Sequence, residues 1–229
     1  MNALSLTRRE AFLGAAALAL AGPALASSGN AARRLTLVRG GSEIGEKTVS
    51  VRRSGSSVEV ETRIDIAVRL IGLPVYRYEL AASESWRGGE LQALEARTND
   101  NGARHFANAV RRGATLEVRG SEFEGEVGGR PATTSYWSTA FLRRPVWIST
   151  QDGRLLNVTA TDTGRVAFPT GAGEVAASRW RIGGDLTDLY LFYDAADEWV
   201  GTEFPARGET ARFFADGRAP ALAPLWVEA

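Results

Sequence analysis

Cysteine is absent from this chain of 229 residues, and histidine and lysine occur once each. Without thiols the chain cannot form disulfides, thiolate metal sites or a cysteine nucleophile. With His105 as the single imidazole, a Ser-His-Asp triad or a zinc site with several histidines is hard to build. The composition therefore predicts no metal and no cofactor, and it favours a binding protein over an enzyme without excluding a hydrolase that uses carboxylates and tyrosines.

A charge excess of either sign is also lacking, because 27 Lys and Arg residues balance 27 Asp and Glu residues. A neutral chain has no global attraction to nucleic acid or to anionic lipid, so we expect no nucleic-acid partner. Every basic residue except Lys47 is arginine. We interpret that bias first as codon usage and second as anion recognition.

Long hydrophobic runs are missing, and the apolar run over residues 11–21 is shorter than the ~20 residues that a spanning helix needs. Arg8 and Arg9 precede this run, and Ala24 and Ala26 form a small-residue cleavage site. We predict a twin-arginine-like signal peptide over residues 1–26, with no transmembrane segment in the mature chain. The mature protein is then periplasmic or secreted. The general secretory route remains an alternative, because two residues separate Arg9 from Phe12.

What the chain does contain is alternation. Apolar residues occupy the even positions from Val58 to Leu70 except for Thr62, and charged residues occupy most of the odd ones. This period of two predicts a long strand with one buried face. The pattern resumes at Val75 after a Gly-Leu-Pro break, which predicts a hairpin or a sheet corner.

Further strands are expected around Leu37 and Val49, joined by a turn at Gly40, and in nine later stretches: 90–98, 114–120, 122–128, 144–150, 154–162, 178–183, 187–194, 198–205 and 209–215. Short turn sequences rich in Gly, Asn and Asp separate them. Only 103–111 and 138–143 are candidates for short helices. The fold class is therefore all-β, a curved antiparallel meander that closes as a barrel or half-barrel, with short helices or a plug segment, in a single domain over 27–229.

Residues 133–142 interrupt the strand rhythm with aromatic and hydroxyl side chains, and we call them the plug segment. Such a segment seals the end of a barrel or forms the floor of a ligand site. In the second interpretation, five aromatic residues on the inward face line a cavity and bind an apolar ligand. These candidate ligand-binding residues are Tyr76, Tyr78, Trp86, Tyr136 and Trp137.

Two other patterns are weaker candidates for sites. Residues 99–102, Asn-Asp-Asn-Gly, offer oxygen ligands for calcium, but they are also ordinary turn formers and the rest of a calcium loop is missing. Residues 171–176 match a dinucleotide loop by letters only, because no long helix follows them.

Several motifs resemble an uncharacterised family of exported, β-rich bacterial proteins that carry a domain of unknown function. They are Thr98-Asn-Asp-Asn-Gly102, Ser135-Tyr-Trp137, Leu191-Phe-Tyr-Asp194, Glu198-Trp-Val200 and Phe204-Pro-Ala-Arg-Gly208. The resemblance spans roughly residues 35–215, and it implies a β-rich fold and an exported location but no activity. The chain also resembles, distantly, the envelope half-barrels that carry or sense lipoproteins.

Three functional hypotheses follow. The first is a non-enzymatic binding protein or carrier for an apolar or lipid-like ligand. The second is a module that binds another envelope protein without a small ligand. The third is a hydrolase that uses Asp100 or Asp194 together with Tyr136.

Overall fold

The computed structural model describes residues 28–70, 73–217 and 221–228. The predicted signal peptide, residues 1–26, lies outside the described residues. The strands are β1 (Ser28–Arg39), β2 (Ser42–Ser54), β3 (Ser57–Leu70), β4 (Leu73–Arg87), β5 (Glu90–Asp100), β6 (Ala103–Arg112), β7 (Thr115–Gly120), β8 (Glu124–Gly128), β9 (Ala132–Thr133), β10 (Val146–Ile148), β11 (Leu155–Thr170), β12 (Gly173–Gly184), β13 (Leu189–Tyr193), β14 (Trp199–Ala206) and β15 (Glu209–Ala215). Two short 3-10 helices cover Thr139–Arg143 and Ala223–Leu225.

These strands form one sheet in the order β8-β7-β6-β5-β4-β3-β2-β1-β15-β14-β13-β12-β11-β10-β9. Each strand pairs antiparallel with its neighbour, except that β9 and β10 are parallel. The all-β prediction of a curved antiparallel meander is confirmed. The sheet is not closed, because β8 and β9 are its two edges, so the architecture is a barrel-like open sheet.

One-sided strands explain the curvature. On β3, Val58, Val60 and Thr62 are buried while Glu59 and Glu61 are exposed, which is the predicted period of two. A sheet with one apolar face must curl to remove that face from water. The two edge regions of the curled sheet meet between β7 and β8 on one side and β10 and β11 on the other, where the Glu122 N–H donates to the Asp152 carbonyl oxygen at 3.1 Å. This contact requires Gly120, because a Cβ there would lie 2.3 Å from the same oxygen.

The predicted short helix over 103–111 is wrong, because these residues form most of β6. Ala107 and Ala109 are buried between Phe106, Asn108 and Val110, which are exposed, so the period is two. The helix predicted over 138–143 is confirmed as the 3-10 helix Thr139–Arg143, capped by the Ser138 hydroxyl. Among the described residues, no helix has the length and apolar character needed to cross a membrane.

The hairpin of β11 and β12 is longer than its alternation predicted, and its distal half forms a second layer outside the sheet. A bulge between Asp162 and Arg165 redirects the hairpin. At its tip the Gly171 N–H donates to the Ala215 carbonyl oxygen at 2.8 Å. Beneath it, the ring of Phe168 stacks on that of Phe192 with centroids 4.1 Å apart.

This second layer generates a stability prediction at Gly201 of β14. A Cβ at Gly201 would lie 2.4 Å from the Phe168 ring and from the Phe213 carbonyl oxygen. Gly201→Ala clashes with both of them, so we expect the free energy of unfolding in urea to fall by about 1–3 kcal/mol. Gly128→Ala is the matched control, since nothing lies within 4 Å of its Cβ position. Equal effects of the two substitutions would contradict this packing.

Candidate functional site

The interior of the sheet has two ends, and the first is filled by aromatic rings. Trp86 of β4 packs on Phe141 of the plug segment at 5.1 Å and on Trp226 at 5.4 Å, and Trp137 packs on Trp226 at 5.4 Å. We call these four residues the aromatic cluster. Trp86 is 1 % exposed and Trp137 is fully buried, so this end is closed.

Arg144 covers the aromatic cluster. Its guanidinium lies 5.4 Å from the Trp226 ring and 5.5 Å from the Trp86 ring, and it donates to the Gly89 carbonyl oxygen at 2.7 Å. Burial lowers the pKa of Arg144 to about 10, which still leaves it charged at neutral pH. Arg144 therefore acts as a cation on a ring face, fixed by backbone carbonyls.

A buried ion pair anchors the C-terminal segment that carries Trp226. Arg33 donates to Glu198 at 3.0 Å, and the same carboxylate accepts the N–H groups of Leu222 at 3.0 Å and Ala223 at 2.9 Å. A buried charge pair is tolerated when its remaining hydrogen-bonding capacity is used. This one directs residues 222–228 into the closed end.

The second end holds a cavity of about 440 Å³, which we call the lumen cavity. Its apolar lining consists of Ile64, Ile66, Leu80, Leu156, Leu186, Leu189, Phe204, Pro205 and Phe213. Its aromatic and polar lining consists of Lys47, Tyr76, Tyr78, Thr134, Tyr136, Ser149, Thr150, Gln151, Arg154, Thr187, Trp199 and Thr202.

Three of the five candidate ligand-binding residues line the lumen cavity: Tyr76 and Tyr78 from β4, and Tyr136 from the plug segment. The structure does not bring the other two there. Trp86 and Trp137 belong to the aromatic cluster at the closed end, where other rings surround them.

Tyr136 is held in an unusual backbone conformation with φ of 66°. An aromatic residue pays a steric penalty in this region, so the surroundings must impose it. The Tyr193 hydroxyl donates to the Tyr136 carbonyl oxygen at 2.7 Å, and Lys47 Nζ donates to the Ser135 carbonyl oxygen at 3.0 Å. These two bonds fix the turn that presents the Tyr136 ring to the lumen cavity.

Lys47 is the residue that sequence reasoning missed. It is 3 % exposed, and its Nζ lies 4.7 Å from the Trp199 ring centroid and 5.0 Å from that of Tyr136. Burial lowers the pKa of Lys47 to about 7, and the charge of Glu84 opposes that shift in part. The signal was available, since Lys47 shares the inward parity of Val49 and Val51 on β2.

Glu84 of β4 is buried beside the plug segment. Its carboxylate accepts from Trp86 Nε1 at 2.9 Å, the Thr133 hydroxyl at 3.0 Å and the Ser135 hydroxyl at 3.4 Å. Burial raises the pKa of Glu84, while these donors and Lys47 act against the rise. The network ties the plug segment to β4, and Glu84 is not part of the cavity lining.

The tyrosines of the site are neutral hydroxyls at physiological pH. Burial raises the pKa of Tyr76 to about 12, and burial also raises the pKa values of Tyr78, Tyr136 and Tyr193. They can donate hydrogen bonds but are poor bases. Asp194, a candidate partner of Tyr136 in the hydrolase hypothesis, instead accepts the Ala196 and Glu198 N–H groups in a turn.

Residues 99–102 form the hairpin turn between β5 and β6. The Asn99 side-chain oxygen accepts the Gly102 N–H at 2.9 Å, and that of Asn101 accepts the Arg77 N–H at 3.3 Å. The amide oxygens therefore serve the turn. Across the described regions, no group of three or more His, Asp or Glu residues is arranged to hold a metal ion.

A larger depression of about 910 Å³ lies on the outer face of β2–β6. Exposed charged residues line it, and they pair with each other, as Arg97 does with Glu95 at 3.0 Å. Such pairs are screened by solvent and offer little that is specific. The lumen cavity combines buried and half-buried apolar residues with hydroxyl, amide and charged groups, so it is the better candidate for a ligand site.

Comparison with known proteins identifies the family. The domain of unknown function DUF6134 matches residues 36–215, so the chain belongs to this family. A search of curated proteins returns no match. Among solved structures, the chain is similar to a β-barrel-like protein of the domain of unknown function DUF1849 from Brucella abortus. The TM-score is 0.55 at 12% identity, over 82% of this chain and 95% of that one, which shows a shared fold.

The bond from Tyr193 to the plug segment generates a prediction. Tyr193→Phe leaves the buried Tyr136 carbonyl without this donor, so we expect the free energy of unfolding to fall by about 1–3 kcal/mol. Tyr190→Phe on the same strand is the control, because that ring lies on the other face, 4.9 Å from the Arg179 guanidinium. Urea denaturation measures both variants. A loss no larger for Tyr193→Phe than for the control would show that this bond does not hold the plug segment.

Proposed function

We propose that this member of the DUF6134 family works outside the cytoplasm as a non-enzymatic binding protein or carrier, and that its lumen cavity holds an apolar or lipid-like small molecule. The observation that carries the proposal is the unequal filling of the interior. The aromatic cluster fills one end of the lumen, whereas about 440 Å³ remains open at the other.

The cavity walls favour an apolar occupant. Six strands, β3, β4, β11, β13, β14 and β15, contribute aliphatic or aromatic side chains to the lining. Burying apolar ligand surface against them yields about 25 cal/mol per Å². The volume lies within the range of roughly 300–1,000 Å³ that is typical of small-molecule sites.

The cavity is accessible on the side of Arg154, whose side chain is 61% exposed and belongs to the lining. Tyr76 and Thr187 lie on the same lining, half-buried and exposed respectively. Polar and solvent-facing residues thus share the cavity with deep apolar ones. This gradient suits a ligand that enters from water.

The extracytoplasmic location rests on the sequence of residues 1–26, with its arginine pair, short apolar run and Ala-x-Ala site. The absence of cysteine is compatible with an oxidising compartment, where thiols would otherwise react.

A second candidate function is an envelope protein-protein interaction module. The exposed apolar residues Leu73 and Val75 favour it, with 70% and 50% of their surfaces accessible at the start of β4. Exposed large apolar side chains that lie together mark interaction surfaces more often than those that are scattered. This candidate does not need an occupied cavity, so occupancy separates the two.

Native mass spectrometry of the protein, isolated gently from the periplasm of its own host, tests the proposal. We expect a discrete extra mass that disappears on denaturation, on a chain that begins after Ala26. Ile66→Trp places an indole in the cavity and should reduce the occupied fraction, whereas Val110→Trp on the exposed face of β6 should not. An apo mass for the wild-type protein would contradict the carrier and favour the interaction module.

A further inference from the structure

The lumen cavity contains one cation that is removed from solvent. Lys47 is the single lysine of the chain, against 26 arginines, and it lies among the buried residues of the lining. The other cation of the lining, Arg154, is mostly exposed and lies 3.5 Å from Asp152. The two positive groups therefore mark the deep side and the exposed side of the same cavity.

The hydrogen-bonding capacity of Lys47 is only partly used. An ammonium group carries three donors, and the Ser135 carbonyl oxygen accepts one of them at 3.0 Å. The rings of Tyr136 and Trp199 attract the charge but provide no lone pair in the manner of an oxygen acceptor. An oxygen acceptor on a ligand would therefore satisfy a remaining N–H donor of Lys47.

The acidic group whose charge acts on Lys47 is already engaged in hydrogen bonds. Glu84 influences Lys47 electrostatically, but its oxygens accept from Trp86, Thr133 and Ser135. Among the ion pairs of the described residues, none includes Lys47. When Lys47 is protonated, its charge is therefore incompletely compensated, and at this buried position a pairing anion is worth more than in water.

We propose that the ligand is an amphiphilic carboxylic acid that binds acid group first, with its carboxylate against Lys47 Nζ and its hydrocarbon chain along Ile64, Ile66 and Leu80 towards the exposed side. This inference rests on the proposed function, because it names the ligand class of the same cavity. A lysine at this position differs from an arginine in one respect that matters for the ligand, because a buried ammonium can lose its proton whereas a guanidinium stays charged.

The acid-base properties of Lys47 agree with this ligand. Because burial lowers the pKa of Lys47 to about 7, the empty cavity can hold the neutral amine, which costs little to bury. An incoming carboxylic acid transfers its proton to that amine, and both groups become charged only when they are paired. The other titratable groups that face this position are Glu84 from β4 and Tyr136 from the plug segment.

Three probes of one chain length test the head group: dodecanoate, methyl dodecanoate and dodecanol. Titration calorimetry on the mature wild-type protein should give at least about tenfold tighter binding of dodecanoate than of either neutral probe, the gain expected from a charge-assisted hydrogen bond. Equal affinities would overturn the acid inference while leaving the carrier intact. If none of the three probes binds, the binding-protein proposal itself fails for lipid-like ligands.

Two variants test the orientation. Lys47→Met keeps a side chain of similar length and should abolish the preference for dodecanoate while dodecanol still binds. Arg154→Met removes the exposed cation of the lining and should leave the preference unchanged. If Arg154→Met loses the preference for dodecanoate while Lys47→Met retains it, the acid group lies at the exposed side, which contradicts the inference. The ester probe needs no variant, so the test remains decisive if Lys47→Met does not fold.

Discussion

The interior of this sheet is wider than its own side chains can fill, and the structure depends on the plug segment being held inside it. About eight strands close around side chains alone, whereas this sheet has fifteen. At Ser135 and Tyr136 the plug backbone is held by two side-chain hydrogen bonds, from Lys47 to the Ser135 carbonyl and from Tyr193 to the Tyr136 carbonyl. They join β2, β13 and the plug segment, and they impose the strained φ of Tyr136.

The plug segment fills one end of the lumen and lines the cavity at the other end. Trp137 and Phe141 of the plug segment meet Trp86 of the sheet and Trp226 of the C-terminal segment, and Trp86, Trp137 and Phe141 are buried there. Tyr136, in the same segment, turns towards the open end and lines the lumen cavity with Lys47. The segment that seals the barrel-like sheet is therefore also the floor of the candidate site.

Alternation along the strands was enough to predict the fold class, since the buried face of β3 follows from the sequence residue by residue. It failed at 103–111, where alanines favour a helix in isolation but pairing with β5 and β7 produces a strand.

For the candidate site, alternation predicted which face of the sheet a side chain lies on, but not how far along the lumen it lies. Trp86 has the parity of Tyr78 but lies about 26 Å further along β4, at a rise of ~3.3 Å per residue. Tertiary packing determines which end of the lumen the plug segment fills, and strand alternation carries no information on it. Lys47 was not predicted as a site residue because the scarcity of lysine was attributed to codon usage.

The central claim is that the single lysine is buried at the floor of an apolar cavity, and its titration tests this most directly. Labelling with ¹³C-lysine gives one side-chain signal in the mature protein, because Lys47 is the chain's only lysine. In the ligand-free protein the account predicts a midpoint near pH 7 instead of the ordinary 10.5. A midpoint near 10.5 would mean that Lys47 is solvated, and it would contradict both the hydrogen bond from Lys47 to the plug segment and the burial of its amino group in the cavity.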